Sequence, residues 1–219
     1  LFRSHEYAMN FPHYQWPDGR KKLVSPLYDA LAAKGAQFMP TAGWERAAWF
    51  ARDGDDTALE SCETFERQGP WHDAVRAECH AVRDAAGILE LPGFSRFTVS
   101  GQGLVAWLRT VVTGTIPRIG RMSLVYICDS QGRIVSELSA IRPAEEEVLL
   151  MAGAGAQWHD IELLQKYLPA DGSITIEDRS ADQTALVLTG PRSRDILSQV
   201  CDADLTSPWL THQRTTIAG

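Results

Sequence analysis

Glu137 stands in the run Gly132-Arg133-Ile134-Val135-Ser136-Glu137-Leu138, a glycine turn leading into a strand. Side chains alternate across a strand, so Ile134, Ser136 and Leu138 share one face while Val135, Glu137 and Ser139 share the other. A carboxylate fixed on a strand can take a proton or steady a developing cation. The same pattern also fits a solvated acid. A second candidate is Met151-Ala152-Gly153-Ala154-Gly155-Ala156, which follows a strand and opens a helix. Gly153, Ala154 and Gly155 are small enough to let a ligand approach backbone N–H groups at a helix start. The loop is not a dinucleotide fingerprint: Trp158 fills the third small position, and no strand with a terminal acid follows at the usual distance. His72, His80 and His159 have no spacing for joint metal ligation. Cys62, Cys79, Cys128 and Cys201 form no C-x-x-C pair, so neither a metal site nor a redox motif is expected. His159-Asp160 reads as a pair on a helix surface, and Glu145-Glu146-Glu147 as an exposed turn.

The elements that must carry these residues follow from periodicity. Val75, Cys79, Val82 and Ala86 give a helix over 72–86, closed by Gly87. Strands are expected at 88–91, 96–100, 122–128, 134–141, 148–151, 173–177 and 184–189, with turns at 129–132 and 143–147. Helices are expected at 104–112, 156–168 and 192–200. Phe97-Thr98-Val99-Ser100-Gly101 with its helix parallels Leu186-Val187-Leu188-Thr189-Gly190 with its helix. A strand, glycine turn and helix repeated in one sheet suggests internal pseudo-symmetry. The fold class is α+β, mostly antiparallel sheet with packed helices.

Residues 1–70 read differently. Four of the seven tryptophans, Trp16, Trp44, Trp49 and Trp71, lie at or before residue 71. Trp16-Pro17-Asp18-Gly19 and Gly43-Trp44 are turn signals, because Pro fixes one dihedral and Gly admits positive φ. Ser25-Pro26 ahead of 27–35 reads as a helix with Ser25 as N-cap, Pro26 at the first position and Gly35 at the end. An aromatic-rich extension thus precedes the domain at 71–219.

Composition excludes several classes. At −7, with only Arg20-Lys21-Lys22 as a basic run, the chain is a poor match to nucleic acid or an anionic membrane surface. No apolar stretch approaches about 18 residues, as a transmembrane helix needs. Isolated cysteines point to a reducing compartment. The chain opens Leu1-Phe2-Arg3 without Met and stops at Thr215-Thr216-Ile217-Ala218-Gly219 inside a strand-like run, so it is expected to be cut from something longer.

Two blocks carry a family resemblance. The first is Ser25-Pro26-Leu27-Tyr28, Lys34-Gly35-Ala36-Gln37-Phe38, Gly43-Trp44-Glu45-Arg46 and Trp49-Phe50, with Asn10-Phe11-Pro12-His13-Tyr14 and Trp16-Pro17 upstream. It resembles the segment linking the flavin and folate domains of dimethylglycine and sarcosine dehydrogenases, with Ala47 where that family usually has Pro. The second block includes 81–87, Gly93-Phe94-Ser95-Arg96-Phe97-Thr98-Val99-Ser100-Gly101, Pro117-Arg118-Ile119-Gly120-Arg121, 132–138 with Arg142, Gly153-Ala154-Gly155-Ala156 with His159-Asp160, and Leu188-Thr189-Gly190-Pro191-Arg192-Ser193-Arg194. It resembles the N-terminal portion of the glycine-cleavage T-protein (aminomethyltransferase) folate-binding domain. Together the blocks cover nearly the whole chain.

The resemblance implies the following. Residues 1–70 are the linking segment and 71–219 an incomplete T-protein-like folate-binding domain. An acid after the Gly-x-Ile turn lies at the tetrahydrofolate site; Glu137 matches it, where T-proteins have Asp. Tyr126 and Gly153, Ala154 and Gly155 match positions near the pterin. The partners implied are an N-methyl amine, folate, and a flavin domain holding FAD in cis or on another subunit. The product is 5,10-methylenetetrahydrofolate, and the location a bacterial cytoplasm or a mitochondrial matrix. Two alternatives remain. One is a non-catalytic regulatory or scaffold relative, suggested by Glu137 and by Cys128 at a usually Asn-like position. The other is a free aminomethyltransferase, in which residues 1–70 have no place.

Overall fold

The computed structural model describes residues 16–58, 62 and 65–218. The upstream motif Asn10-Phe11-Pro12-His13-Tyr14 lies outside them. The Pro-Asp-Gly signal forms a single 3-10 turn, Pro17–Gly19. Helix α1 is Tyr28–Ala32, shorter than expected. Ser25 is not its N-cap: its hydroxyl accepts the Leu27 N–H at 3.2 Å, closing a local turn around Pro26 and delaying the helix to Tyr28.

Strands β1 (Ala36–Thr41) and β2 (Trp44–Phe50) then pair antiparallel as a hairpin, with a bulge between Gln37 and Phe38. Sequence periodicity did not foresee it. Pro40 and the bulge break the alternation that marks a strand. Arg20 clamps the hairpin. Its Nε and Nη2 donate to the buried Glu45 carboxylate at 2.8 and 2.7 Å, and Nη2 also donates to the Phe38 carbonyl at 2.9 Å.

Helix α2 (His72–Asp84) ends three residues before Gly87, which instead begins β3 (Gly87–Glu90). Its expected apolar stripe is shallow: Ala74 is the buried residue, and Cys79 faces solvent. Glu78 ties α2 to the hairpin by accepting the Phe50 N–H at 3.0 Å.

The remaining elements are β4 (Phe94–Gly101), α3 (Leu104–Val111), β5 (Arg121–Cys128), β6 (Ile134–Ala144), β7 (Glu147–Gly153), α4 (Gln157–Lys166), β8 (Ile174–Asp178), β9 (Leu186–Thr189) and α5 (Ser193–Leu197). Five of them form one sheet in the order β5-β6-β7-β4-β8, antiparallel throughout. β3 and β9 form a separate antiparallel pair. The α+β reading with antiparallel sheet holds.

The strand–glycine–helix echo holds locally but not in one sheet. β4 with α3 belongs to the five-stranded sheet, whereas β9 with α5 belongs to the small pair. Both linking glycines are demanded by geometry. A Cβ on Gly101 (φ +142) would stand 1.9 Å from the Ser173 carbonyl oxygen, and one on Gly190 (φ +110) 2.6 Å from that of Ala85.

The core lies on one face of the large sheet. Leu104, Trp107, Leu108 and Val111 of α3 recur at helical spacing and are all buried. With Leu164 of α4 they cover Phe97, Val99, Val125, Ile127, Leu138, Ala140, Val148 and Leu150, the alternate positions of β4 to β7. The opposite face is largely open. Leu124 is 50% exposed and Glu137 is exposed, while Tyr126, Leu149 and Met151 are half-buried. Among the described residues no helix is long and apolar enough to cross a membrane.

Candidate functional site

Strand register brings the sequence-derived candidates into one region. Tyr126 on β5 is directly opposite Glu137 on β6. Both are out of phase with the core positions Val125, Ile127 and Leu138, so both lie on the open face. The next strand is reached through the Ser139–Met151 pair, and Gly153 follows two residues on from Met151 along β7. Gly153 is in turn paired with Phe94 at the start of β4. One end of the open face therefore presents a carboxylate, a phenol ring and a strand end without a side chain.

The Glu137 side chain makes no hydrogen bond or ion pair among the described residues, and it is exposed. Tyr126 is held through its backbone. Its N–H donates to the Thr113 carbonyl at 3.1 Å, and its carbonyl accepts the Thr113 N–H at 2.7 Å.

The 153–156 loop is one 3-10 turn, Ala154–Ala156, running directly into α4. Ala154 is buried, and its N–H donates to the Gly93 carbonyl at 2.9 Å. Gly153 has an ordinary φ of −64°, so its glycine supplies room and not conformation. A Cβ there would meet nothing within 4 Å. Open space against the backbone is thus found at Gly153.

One expectation needs correction. His159-Asp160 is not a surface pair, because Asp160 is fully buried. Its Oδ1 lies 3.0 Å from Nδ1 of the half-exposed His159, and Oδ2 has no hydrogen-bond partner. Asp160 takes the inward turn of α4 beside Gln157 and Leu164, a side that the weak amphipathicity of Gln157–Lys166 did not reveal.

A buried polar cluster was also missed. Arg96 on β4 is 6% exposed, and its Nη2 donates to the Ser180 carbonyl at 2.6 Å. Burial lowers its pKa, opposed by the charges of Asp178, Glu90 and Asp182. Glu90 is buried as well and accepts the Thr184 hydroxyl at 2.8 Å. Alternation gave no warning of it, since Arg96 falls in phase with the exposed Phe94 and opposite to the core positions Phe97 and Val99. These bonds tie the loop after β8 to the sheet and help join the β3–β9 pair to it.

Two cavities lie away from Glu137. One of about 420 Å³ is lined by Arg52, Asp73, Arg76, Ala77 and His80. Another, of about 510 Å³, opens at the far end of β4 and β7 and includes Thr98, Ser100, Glu147, Arg179 and Arg214. Among the described residues no group of three or more His, Cys, Asp or Glu is placed to hold a metal ion. The chemistry available at the open face is therefore that of an acid beside an aromatic surface: hydrogen bonding to N–H donors, stacking, and proton transfer.

Comparison with known proteins gives these features a context. The family model described as GCVT N-terminal domain matches residues 27–219. The chain is 29% identical to the mitochondrial pyruvate dehydrogenase phosphatase regulatory subunit of Mus musculus, over 91% of this chain and 23% of that protein. It is 27% identical to the mitochondrial dimethylglycine dehydrogenase of Homo sapiens, over 84% of this chain and 21% of that protein. It is 29% identical to the human mitochondrial sarcosine dehydrogenase, over 99% of this chain and 28% of that protein. The chain thus spans about a quarter of the length of these curated relatives. Its fold is similar to the crystal structure of glycine cleavage system aminomethyltransferase T from Bartonella henselae. That similarity has a TM-score of 0.61 at 23% identity and covers 80% of this chain and 43% of the other.

Proposed function

The chain belongs to the GCVT N-terminal domain family, and on that premise we propose that it is the folate-binding part of a flavin-dependent N-methyl amine dehydrogenase of the dimethylglycine and sarcosine type. The observation that carries this reading is the cross-strand pairing of Glu137 with Tyr126 on the open sheet face. Residues 1–70 are the linking segment and 71–219 the beginning of the folate domain. The 153–156 loop does not fit a flavin pyrophosphate, since it is a single 3-10 turn with Trp158 in place of a third small residue. FAD and the oxidation step therefore belong to another domain or subunit. The compartment is a bacterial cytoplasm or a mitochondrial matrix.

The step assigned here begins with tetrahydrofolate and an iminium ion, in which a methylene carbon is doubly bonded to the positively charged amine nitrogen. One folate amine forms a bond to the iminium carbon. The second closes the ring as the bond to the departing amine breaks. The two folate N–H protons end on the leaving group, which departs as its ammonium ion, and 5,10-methylenetetrahydrofolate remains. Glu137 accepts a proton from the attacking amine and returns it to the departing one. Tyr126 offers a stacking surface to the pterin. Gly153 lets the heterocycle approach backbone, a role consistent with the open space there, while Ala154 and Gly155 shape the loop that borders it.

The test is Glu137→Ala in the complete enzyme. Methylenetetrahydrofolate formation should fall by about 10²-fold, the lower range for a general acid or base, with amine oxidation retained. Unchanged yield removes Glu137 from the site. A second reading, a non-catalytic regulatory relative, is favoured by the similarity to the pyruvate dehydrogenase phosphatase regulatory subunit. It predicts no methylenetetrahydrofolate formation above the uncatalysed background when an iminium donor is supplied with tetrahydrofolate.

A further inference from the structure

We infer that the tip of the β1–β2 hairpin is a positioning wall for the 153–156 loop, which makes the N-terminal segment part of the one-carbon site as well as a tether. The inference rests on the folate reading above. The tip is a two-residue connection, Ala42-Gly43, with Thr41 and Trp44 paired across it. Both residues have positive φ, 52° at Ala42 and 83° at Gly43. That is the turn geometry whose twist suits a hairpin. Gly43 adopts it freely, but Ala42 carries a Cβ into a region that L-residues avoid, where Gly or Asn would be at ease. A strained residue of this kind motivates a search for what its side chain touches.

The tip lies beside the site loop, near enough to limit what could stand at two of its glycines. A Cβ built on Gly155 would lie 3.8 Å from the Ala42 Cβ. A Cβ built on Gly93 would lie 3.8 Å from the Thr41 Cγ2. Gly93 is the residue whose carbonyl accepts the Ala154 N–H at 2.9 Å. Thr41 and Ala42 therefore bracket the junction that fixes the loop, next to the strand end where Gly153 and Phe94 pair. The hairpin behind the tip is stiff. The Arg20–Glu45 clamp holds its near end, and Glu78 anchors Phe50 at the other. A shift of the N-terminal segment is carried to the tip and from there to the loop.

Ala42→Gly separates this role from a merely structural one, because the two predict opposite signs. The variant relieves the backbone strain at φ 52°, so thermal stability should hold or rise. It also removes the methyl facing Gly155. Affinity for 5-formyltetrahydrofolate, measured by calorimetry on the full polypeptide, should weaken about twofold, the equivalent of about half the 0.8 kcal/mol of a fully buried methyl, because Ala42 is exposed. Hydrogen exchange of the Ala154 amide should quicken. Thr41→Ser should act in the same direction through Gly93. Unchanged affinity and unchanged exchange in Ala42→Gly, with wild-type protein binding the probe, overturn the inference while the folate reading stands. Quickened exchange with no probe binding by the wild type sinks the folate reading and leaves the hairpin–loop coupling in place.

Discussion

Glu45→Gln tests whether the N-terminal hairpin is fastened by charge. The Glu45 side chain is 2% exposed and its partner Arg20 is 29% exposed. Three bonds converge on the carboxylate, from Arg20 Nε at 2.8 Å, Arg20 Nη2 at 2.7 Å and the Lys21 N–H at 2.7 Å. Breaking a fully buried pair by removing one charge costs about 3–5 kcal/mol. Arg20 is nearly a third exposed and retains the Phe38 carbonyl, so solvent screening cuts the expectation to about 2 kcal/mol. For a chain of this size that is a fall in Tm of about 4–8 °C. Tryptophan fluorescence is a suitable probe, because Trp44 and Trp49 are buried in the same hairpin.

The pH dependence adds a second check. Hydrogen bonding from Arg20, working against the cost of burial, holds the Glu45 pKa below the ordinary 4.5. Stability from a carboxylate of lowered pKa is fully present above the unfolded value and is lost as pH falls through the folded one. The deficit of Glu45→Gln should therefore be constant from neutral pH down to about pH 5 and shrink below about pH 4. A deficit that is absent at neutral pH, or that persists undiminished in acid, would refute the reasoning.

Two further outcomes follow from packing. Gly101→Ala forces a Cβ to 1.9 Å from a backbone oxygen at a φ of +142°, and should cost at least about 3 kcal/mol; a shift in urea midpoint worth less than about 1 kcal/mol would show that the β4–α3 turn is soft. Leu108→Ala empties a fully buried position of α3 and should cost about 2–5 kcal/mol in the same assay. A value near zero would mean that the helix layer collapses to fill the space.

The large sheet was legible because its strands alternate. Val125, Leu138 and Leu150 mark the covered face, and the same alternation places Glu137 on the other. α3 was legible because four apolar residues at helical spacing are all used. What failed, failed for local physical reasons. The hairpin was hidden by Pro40 and by the bulge after Gln37. α2 was lengthened past Asp84 because Gly87, read as a stop, is the first residue of a strand. The echo between Gly101 and Gly190 was a true repeat of turn chemistry, but turn chemistry does not specify which sheet a strand joins. Asp160 and Arg96 are charged residues buried through tertiary contact, and a single sequence carries little warning of that.

The candidate site depends on two kinds of information held at different distances along the chain. The pairing of Tyr126 with Glu137 depends on one short connection through Gly132 and on the register shift between Ile127 and Cys128, without which Tyr126 would lie opposite Ser136. The loop after Gly153 is different. Its position depends on Gly93, far earlier in the chain, through the Ala154 N–H, and on Ala42 beyond that. A pattern confined to 151–156 can therefore state that the loop is small and open, but not what sets its place. On the inference above, Ala42 links the two resembling blocks: the first supplies the hairpin, the second the sheet end and loop beside which its tip lies. Separating them at about residue 70 describes their composition, whereas the packing joins them at the one end of the sheet where the acid, the ring and the glycines meet.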